Sequence, residues 1–324
     1  MNTLLAICIP TYNRANHLYD CIEKLIPQLL IYKIPIYVSD NDSNDNTAEL
    51  IEKLQKEYPL ISYSKNPKNM GADYNFTKVL KMSNNKYSWL LGDDDRIEDG
   101  IIDKFMLLIK DHDYDAIIVN GGYRKKMEKI SRVNNIPSKV YCDPNSLLSD
   151  LGWHMTWMSC LIFSRAMIDE VIHEKYYNTN FLQFAIIFDY LAGKKCSVYW
   201  LSEWCVYGAS TGAAAWRKDT FKIFANSWYN VVSNLPQKYT SEVKRKCILD
   251  HGVKSNLFNF RSLKHLRGDN VLNLTVFREN IEYLPFTIKL PMAIVFIIAI
   301  FPIKFIRFNR AISKFLKSLR QGKW

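Results

Sequence analysis

The sequence predicts an α/β fold in which a mostly parallel sheet is flanked by helices. Short, continuous apolar runs such as LLAICI (4–9) are typical of strands that are buried on both faces. Between these runs, apolar residues recur every three or four positions, as they do on one face of a helix. The alternation of the two patterns favours parallel strands joined by helical crossovers. An apolar content of 48% is enough for a packed core.

The first 120 residues show this alternation most clearly. The predicted strands of this half are 4–9, 34–39, 61–64, 86–91 and 115–120. The predicted helices are 15–31, 44–57, 71–82 and 97–110. Because the carboxyl ends of parallel strands meet at one edge of a sheet, the loops that follow these strands are the place to look for a site.

The second half is less regular. We expect a strand within 155–165 that leads into a helix at 166–174, and a helix at 180–192 that ends at Gly193. Two short strands are predicted at 196–200 and 203–207, followed by a loop of small residues, GASTGAAA, at 208–215. Further helices are predicted at 217–234, 240–266 and 270–282.

The net charge of +11 is concentrated at the C-terminal end. Seven lysines and arginines, and no acid, lie within 304–324, while the rest of the chain is nearly balanced. This distribution argues against a general nucleic-acid-binding surface and favours an anionic partner for the tail.

The tail, 284–324, is predicted to associate with a membrane. Its uncharged run LPMAIVFIIAIFPI (290–303) is shorter than the roughly 20 residues that cross a bilayer. Beyond it, Phe305, Phe308 and Ile312 recur at helical spacing with basic residues between them, which is typical of an interfacial helix on an anionic leaflet. The alternatives are a helix packed on the domain with a solvated basic face, and a span over 284–303 that would bury Lys289.

The seven cysteines form no CxxC pair, and their number is odd, so neither a zinc site nor a disulfide framework is indicated. The first residues, MNTLLAICIPTYNR, carry no charge before the apolar run, which is not typical of a signal peptide. Both observations fit a reducing cytoplasm.

Three polar loops follow predicted strands and should lie together at one edge of the sheet. They are PTYNR (10–14), DNDSNDN (40–46) and GDDDR (92–96). Adjacent carboxylates such as Asp93, Asp94 and Asp95 repel one another unless a cation neutralises them. Mg²⁺ and Mn²⁺ prefer such oxygen ligands and share them with substrate phosphates. The alternative is that these aspartates simply favour the N-terminus of the following helix.

In an extended turn, Asp93 and Asp95 would point to one side and Asp94 to the other.

Asp40, at the end of its strand, is placed to accept a hydrogen bond from a base or an amino group. Ser43, Asn44 and Asp45 can instead cap the next helix. Arg14 offers a guanidinium for phosphate, with pairing to Asp40 or Asp42 as the alternative.

The sequence contains no GxGxxG or GxxxxGK[ST] motif. A dinucleotide dehydrogenase and a P-loop ATPase are therefore disfavoured.

The ordered segments IPTYNR, VSDNDSNDNT, NMGADYN and WLLGDDD resemble glycosyltransferase family 2, and within it the abequosyltransferase type of O-antigen and lipopolysaccharide enzymes. The resemblance implies a GT-A fold and transfer of a sugar from a nucleoside diphosphate. It divides the chain into a GT-A domain (1–215, with a nucleotide-sugar half 1–120 and an acceptor half 121–215), a helical extension (216–283) and the tail.

The resemblance also implies which residues form the site. Nucleotide-sugar-binding positions would be Pro10, Thr11, Tyr12, Asn13, Arg14, Asp40, Asn69, Gly71, Asn75, Asp93 and Asp94. Asp93 and Asp95 match the DxD motif that holds Mg²⁺ or Mn²⁺ on the diphosphate. Trp216 is a candidate for a lid over the donor because it follows the GASTGAAA loop.

The sequence departs from the family at the catalytic base. An acidic pair is usual in the helix before the Gly193-type stop, but Leu182 and Gln183 occupy those positions here. Asp189, about two turns later, is a weak candidate base and His154 an alternative, and Asp189 can equally be a surface residue of its helix. A retaining reaction would need no base of this kind.

The expected function is transfer of a sugar from a UDP, CDP or dTDP donor to a polyprenyl-linked glycan. The enzyme would lie peripherally on the cytoplasmic face of the inner membrane, bound to an anionic surface and to no nucleic acid. The alternatives are a nucleotide-sugar pyrophosphorylase or hydrolase, and a non-catalytic adaptor that binds sugar nucleotides.

Overall fold

The computed structural model describes residues 2–125, 128–208 and 215–320. These residues form two compact units. The first comprises 2–208 together with 235–240, and the second comprises 215–234 together with 241–320.

Ten strands form one sheet in the described part of the first unit. They are β1 (Leu5–Thr11), β2 (Ile36–Asp40), β3 (Ile61–Lys65), β4 (Tyr87–Leu90), β5 (Asp95–Ile97), β6 (Ala116–Lys125), β7 (Glu128–Ser131), β8 (Lys139–Tyr141), β9 (Leu161–Ser164) and β10 (Val198–Gly208). Their order is β3-β2-β1-β4-β9-β6-β10-β5, with β7 on β6 and β8 on β10. Strands β1 to β4 are parallel as predicted, whereas β9 runs antiparallel to both of its neighbours.

Helices cover the sheet of the first unit. They are α1 (Ala15–Leu30), α2 (Thr47–Glu57), α3 (Ala72–Met82), α4 (Ile101–Lys110), α5 (Pro144–Leu151), α6 (Arg165–Glu170) and α7 (Leu182–Ala192). The apolar stripe of α1, including Leu18, Ile22 and Leu25, is buried in one core with Ile7 and Ile9 of β1. Burial of this stripe fixes the position of α1 and of the loop that precedes it.

The second unit is helical. Its helices are α8 (Trp228–Ser233), α9 (Ser241–Lys254), α10 (Phe260–Gly268), α11 (Leu274–Glu279), α12 (Leu284–Thr287), α13 (Met292–Ile300) and α14 (Ile303–Arg320). One core contains Phe221 and Phe258 together with Leu284, Val295 and Ile298. The predicted extension (216–283) and the predicted tail (284–324) therefore contribute buried residues to the same core.

Helices α13 and α14 are separated by a sharp bend at Pro302. In the described part of the chain, no single helix is long and apolar enough to cross a membrane. Met292–Ile300 and Ile303–Ile312 reach the necessary length and composition as a pair, but the angle between them is 86°.

Several predicted elements differ from the observed ones. Two short 3₁₀ turns, His154–Thr156 and Met158–Cys160, occupy the first half of the segment 155–165, and the strand predicted there is confined to β9. The two short strands at 196–207 are one strand, β10, whose register against β6 shifts on either side of Trp204. The helix predicted at 240–266 is divided because Asn256 adopts a left-handed backbone conformation (φ 57°) and Asn259 caps a new helix through the backbone N–H of Ser262.

Candidate active site

The three polar loops converge at the carboxyl edge of β1, β2 and β4. Thr11 pairs with Asp40 in the parallel register of β1 and β2. The Thr11 hydroxyl donates to Asp93 Oδ2 at 2.8 Å, and the backbone N–H of Asn13 donates to Ser43 Oγ at 2.8 Å. The sheet thus brings together segments that are about 30 and 80 residues apart in sequence.

Arg14 bridges two of the three aspartates. Its guanidinium donates to Asp93 Oδ1 at 2.8 Å and to Asp94 Oδ2 at 2.6 Å. Two corrections follow. Arg14 pairs with neither Asp40 nor Asp42, and Asp93 and Asp94 do not point to opposite sides, because a turn rather than an extended segment carries them.

Asp95 is held by residues of the predicted acceptor half, 121–215. Its Oδ2 atom accepts hydrogen bonds from the Trp157 indole N–H, at 2.7 Å, and from the Ser159 hydroxyl. Ser159 Oγ also accepts from the backbone N–H of Gly92 at 2.8 Å. A Cβ atom at Gly92 would lie 2.9 Å from Asp95 Oδ2, so glycine is needed here for this close approach.

Sequence inspection did not connect Trp157 or Ser159 with Asp95. They precede β9, and because β9 is antiparallel to β4, its start lies at the carboxyl end of β4. An antiparallel assignment for the strand near 161 would have predicted their position.

Burial raises the pKa of two of these carboxyl groups. The pKa of Asp93 is raised to about 6, although Arg14 and Thr11 act in the opposite direction. Burial raises the pKa of Asp95 to about 7, with Ser159 and Trp157 opposing the shift. One arginine therefore does not compensate the charge of three aspartates, and an additional cation would favour their ionised forms.

The aspartates suit a hard divalent cation that is shared with phosphate oxygens. Asp94 Oδ1 and Asp95 Oδ1 accept no hydrogen bond from the residues that the structure describes. Within 2–125, 128–208 and 215–320, no group of three or more His, Cys, Asp or Glu side chains is placed to hold a metal. One or two carboxylates completed by substrate phosphates and water is the usual environment of Mg²⁺ in proteins.

Asp40 is buried, and both of its carboxylate oxygens accept hydrogen bonds from nearby residues. Its Oδ1 accepts from the backbone N–H and the hydroxyl of Ser43, at 2.8 and 2.6 Å, and its Oδ2 accepts from Tyr63 at 2.6 Å. Asp45 caps two segments, accepting from the N–H groups of Ala15 and Thr47. The capping alternative therefore holds for Asp45.

The predicted N-x-G…N residues form a supporting network. The Asn75 amide donates to the Ser39 carbonyl at 2.9 Å and to the Thr11 carbonyl at 3.3 Å, so it joins the ends of β1 and β2. Asn69 accepts from Asn41 at 2.8 Å and from the N–H of Gly71, which has a φ of 88° that favours glycine. Pro10 is buried, whereas Tyr12 is 41% exposed beside these loops.

The candidate bases lie apart from this network. Asp189 pairs with Lys175 at 3.7 Å and lies beside Tyr176, and no contact joins it to Asp93–Asp95 among the residues described. His154 is fully buried, its Nε2 lies 2.9 Å from the Val119 carbonyl, and burial lowers its pKa to about 3. Gln183 is buried with its amide 3.4 Å from the Thr156 carbonyl.

Trp216 belongs to the second unit and packs edge-on against Phe224, with ring centroids 5.1 Å apart. Residues 209–214 of the predicted GASTGAAA loop lie outside the described residues. The lid assignment of Trp216 stays a prediction.

Comparison with known proteins identifies the family. Residues 6–172, more than half of the chain, match the family described as Glycosyl transferase family 2. The chain belongs to this family. It is similar to abequosyltransferase RfbV of Salmonella typhimurium, with 25% identity over 219 residues that cover 62% of this chain and 65% of RfbV. A second relative, the uncharacterized glycosyltransferase MG060 homolog of Mycoplasma pneumoniae, is 25% identical over 41% of this chain and 46% of its own.

Solved structures support the GT-A fold. S. aureus TarS 1–349 in complex with UDP-GlcNAc superposes with a TM-score of 0.56 at 13% identity, covering 99% of this chain and 93% of that one. The mannosyltransferase PcManGT of Pyrobaculum calidifontis, in complex with GDP-Man and Mn²⁺, gives a TM-score of 0.52 at 12% identity, covering 92% and 86%. The predicted family and fold are thereby confirmed.

Proposed function

We propose that the protein transfers a sugar from a nucleoside diphosphate donor to a lipid-linked glycan in surface-polysaccharide synthesis of the O-antigen type. The observation that carries the proposal is the aspartate cluster at the carboxyl edge of β4. Two of its carboxylate oxygens accept no hydrogen bond from the described residues, and one arginine compensates its charge. The similarity to abequosyltransferase RfbV supports a transferase of the O-antigen type, and the complexes of TarS and PcManGT support a nucleotide-sugar donor.

The loops around β1 and β2 would bind the donor. In this proposal Pro10, Thr11, Tyr12 and Asn13 line the nucleotide pocket, with Asp40 toward the base. Asn69, Gly71 and Asn75 hold these loops in place, and Asp94 lies toward the ribose or sugar.

Asp93 and Asp95 would hold Mg²⁺ or Mn²⁺. The ion would supply Lewis-acid stabilisation of the leaving diphosphate. Arg14 lies against Asp93 and Asp94, so its guanidinium is placed to contact a phosphate oxygen in the same cleft. Asp189 remains a predicted base, but its contacts with Lys175 and Tyr176 do not support that assignment.

The second unit would attach the enzyme to the cytoplasmic face of the membrane. On α14, Phe305 and Phe308 are 62% and 64% exposed, and on α13 Ile297 is 56% exposed. The surrounding sequence from 304 to 324 carries seven basic residues and no acid. Exposed aromatic residues interspersed with basic ones suit an anionic lipid surface.

A thermal-shift panel tests the donor assignment. The protein is melted with UDP-, CDP-, dTDP- and GDP-sugars at about 1 mM, each with Mn²⁺ or with EDTA. A ligand that binds only the folded state raises the melting temperature. We expect one nucleotide class to stabilise the protein in a metal-dependent way. Absence of a shift with every donor would contradict the proposal.

A further inference from the structure

The second unit contains a cavity of about 370 Å³ beside α10. Its wall is formed by Arg217, by the turn at Ser255 and Asn256, and by Arg261 and His265 of α10. Leu257 and Leu266 add an apolar part to this wall. The cavity thus combines cationic side chains with a hydrocarbon surface.

The positive charge of this cavity is only partly compensated. Arg217 pairs with Asp269 at 2.7 Å, but the same carboxylate also binds Arg310 at 2.7 Å. The side chains of Arg261 and His265 make no hydrogen bond or ion pair within the described part of the chain. Burial, Arg310 and Arg261 all lower the pKa of His265, as expected for a site with excess positive charge.

The two serine hydroxyls of the cavity wall already donate hydrogen bonds to backbone carbonyls. Ser262 donates to the Asn256 carbonyl at 2.7 Å, and Ser255 donates to the His251 carbonyl. The donors that remain are the guanidinium of Arg261, the other N–H groups of Arg217, the amide NH₂ of Asn256 and the imidazole of His265. Such a site selects an anion with several oxygens, and guanidinium groups match the geometry of phosphate.

Helix α10 is tied to the helix that we propose lies on the membrane. Arg307 of α14 donates to the Gly268 carbonyl at 3.0 Å, and Arg310 donates to the His265 carbonyl. Gly268 permits this approach, since a Cβ atom there would lie 2.5 Å from the Arg310 guanidinium. Phe305 and Phe308, exposed on α14, therefore belong to an element that contacts the helix lining the cavity.

We propose that this cavity binds the phosphate or diphosphate group of a membrane lipid. The inference rests on the proposed membrane attachment and adds a specific headgroup site to it. Leu257 and Leu266 would contact the first carbons of the ester, while Arg261 and Arg217 bind its oxygens.

The test compares the Arg261→Gln and Lys264→Gln variants by calorimetric titration with farnesyl diphosphate. EDTA is present, so that binding through a divalent cation at the donor site is excluded. Lys264 is the matched control because it is also an exposed cation on α10 but does not line the cavity. We expect Arg261→Gln to weaken binding about tenfold or more, and Lys264→Gln to bind like the wild type.

A second arm distinguishes the two sources of the phosphate. Binding of the same proteins to phosphatidylcholine vesicles is measured with either phosphatidylglycerol or a polyprenyl diphosphate added. If Arg261→Gln weakens binding to the phosphatidylglycerol vesicles, the ligand is the headgroup of an ordinary membrane phospholipid. If it weakens binding only to the vesicles with polyprenyl diphosphate, the ligand is a polyprenyl lipid of the kind proposed as acceptor. Equal behaviour of the two variants in the titration and on both vesicles would overturn the inference. The donor panel, repeated on Arg261→Gln, shows separately whether the proposed transferase site is intact.

Discussion

The two units place opposite kinds of side chain in unusual environments. In the first unit, the carboxylates of Asp93 and Asp95 are only 4% and 7% exposed. In the second unit, the aromatic rings of Phe305 and Phe308 are more than 60% exposed. Buried charge and exposed apolar surface both cost free energy, so each arrangement indicates a partner outside the chain. A cation with an anionic donor suits the first unit, and a lipid surface suits the second.

The two arrangements are maintained in different ways. Asp93 and Asp95 are fixed by hydrogen bonds from Thr11, Trp157 and Ser159, which come from distant parts of the sequence. The exposed rings of α14 are presented by one helix whose Ile306 is buried on the opposite side. We therefore expect changes near the aspartates to have larger effects than changes on α14.

The largest expected effect comes from removing a charge of the aspartate cluster. Asp93→Asn should lower kcat/KM for sugar transfer by about 10³-fold, or about 4 kcal/mol. The variant would bind the metal ion poorly, so the ion would no longer stabilise the negative charge of the leaving diphosphate. Asp42→Asn is the control, since Asp42 lies on a neighbouring loop and pairs with Lys65. Equal activity of the two variants would show that Asp93 matters no more for transfer than Asp42 does.

The pH dependence of stability sharpens the same comparison. Because the pKa of folded Asp95, about 7, lies above that of an unfolded Asp, the folded state binds more protons between about pH 4 and pH 7. The stability from this group is present at low pH and is lost as the pH rises through about 7.

Without divalent cations, the wild type should therefore lose about 3 kcal/mol more than Asp95→Asn between about pH 5 and pH 8. Urea unfolding at several pH values measures the difference. Parallel curves for the two proteins would show that Asp95 is not the group responsible.

Gly92→Ala tests the close packing beneath Asp95. The added Cβ would displace the carboxylate from Ser159, and we expect a loss of about 2 kcal/mol in unfolding free energy together with reduced transfer. Gly193→Ala is the control, because nothing lies within 4 Å of a Cβ there. If both variants unfold at the same urea concentration, the packing argument fails.

The smallest effect is expected on the exposed face of α14. Replacing both Phe305 and Phe308 with Ser should weaken binding to anionic vesicles about tenfold, as the buried apolar area decreases. Tyr123→Ser, at an exposed aromatic of the first unit, is the control. These substitutions are preferable to truncation after Leu284, which would also remove Val295 and Ile298 from the core of the second unit.

The sequence was most informative where structure is local. The buried strand β1 begins as a continuous apolar run, and the stripe of α1 has a clear helical period, so both could be predicted together with the edge where Asp40 and Asp93 lie. The division between α9 and α10 was missed, because it depends on one left-handed asparagine within a segment of otherwise helical composition.

The contacts that define the site could not be predicted, because they join distant segments. Arg14 lies 79 residues from Asp93, and Trp157 lies 62 residues from Asp95. Their meeting depends on the position of β9, antiparallel and between β4 and β6, which no local pattern encodes. For the same reason, the sequence offered Asp40 and Asp42 as partners of Arg14, and the structure shows Asp93 and Asp94 instead.

The central claim is that the buried aspartates bind a metal–nucleotide complex, and calorimetric titration tests it most directly. Wild type and Asp93→Asn are titrated with the donor found by thermal shift, with Mn²⁺ and with EDTA. The account predicts that wild-type affinity falls about tenfold or more in EDTA, and that Asp93→Asn binds equally weakly in both conditions. Equal affinity of both proteins, with and without the metal, would contradict it.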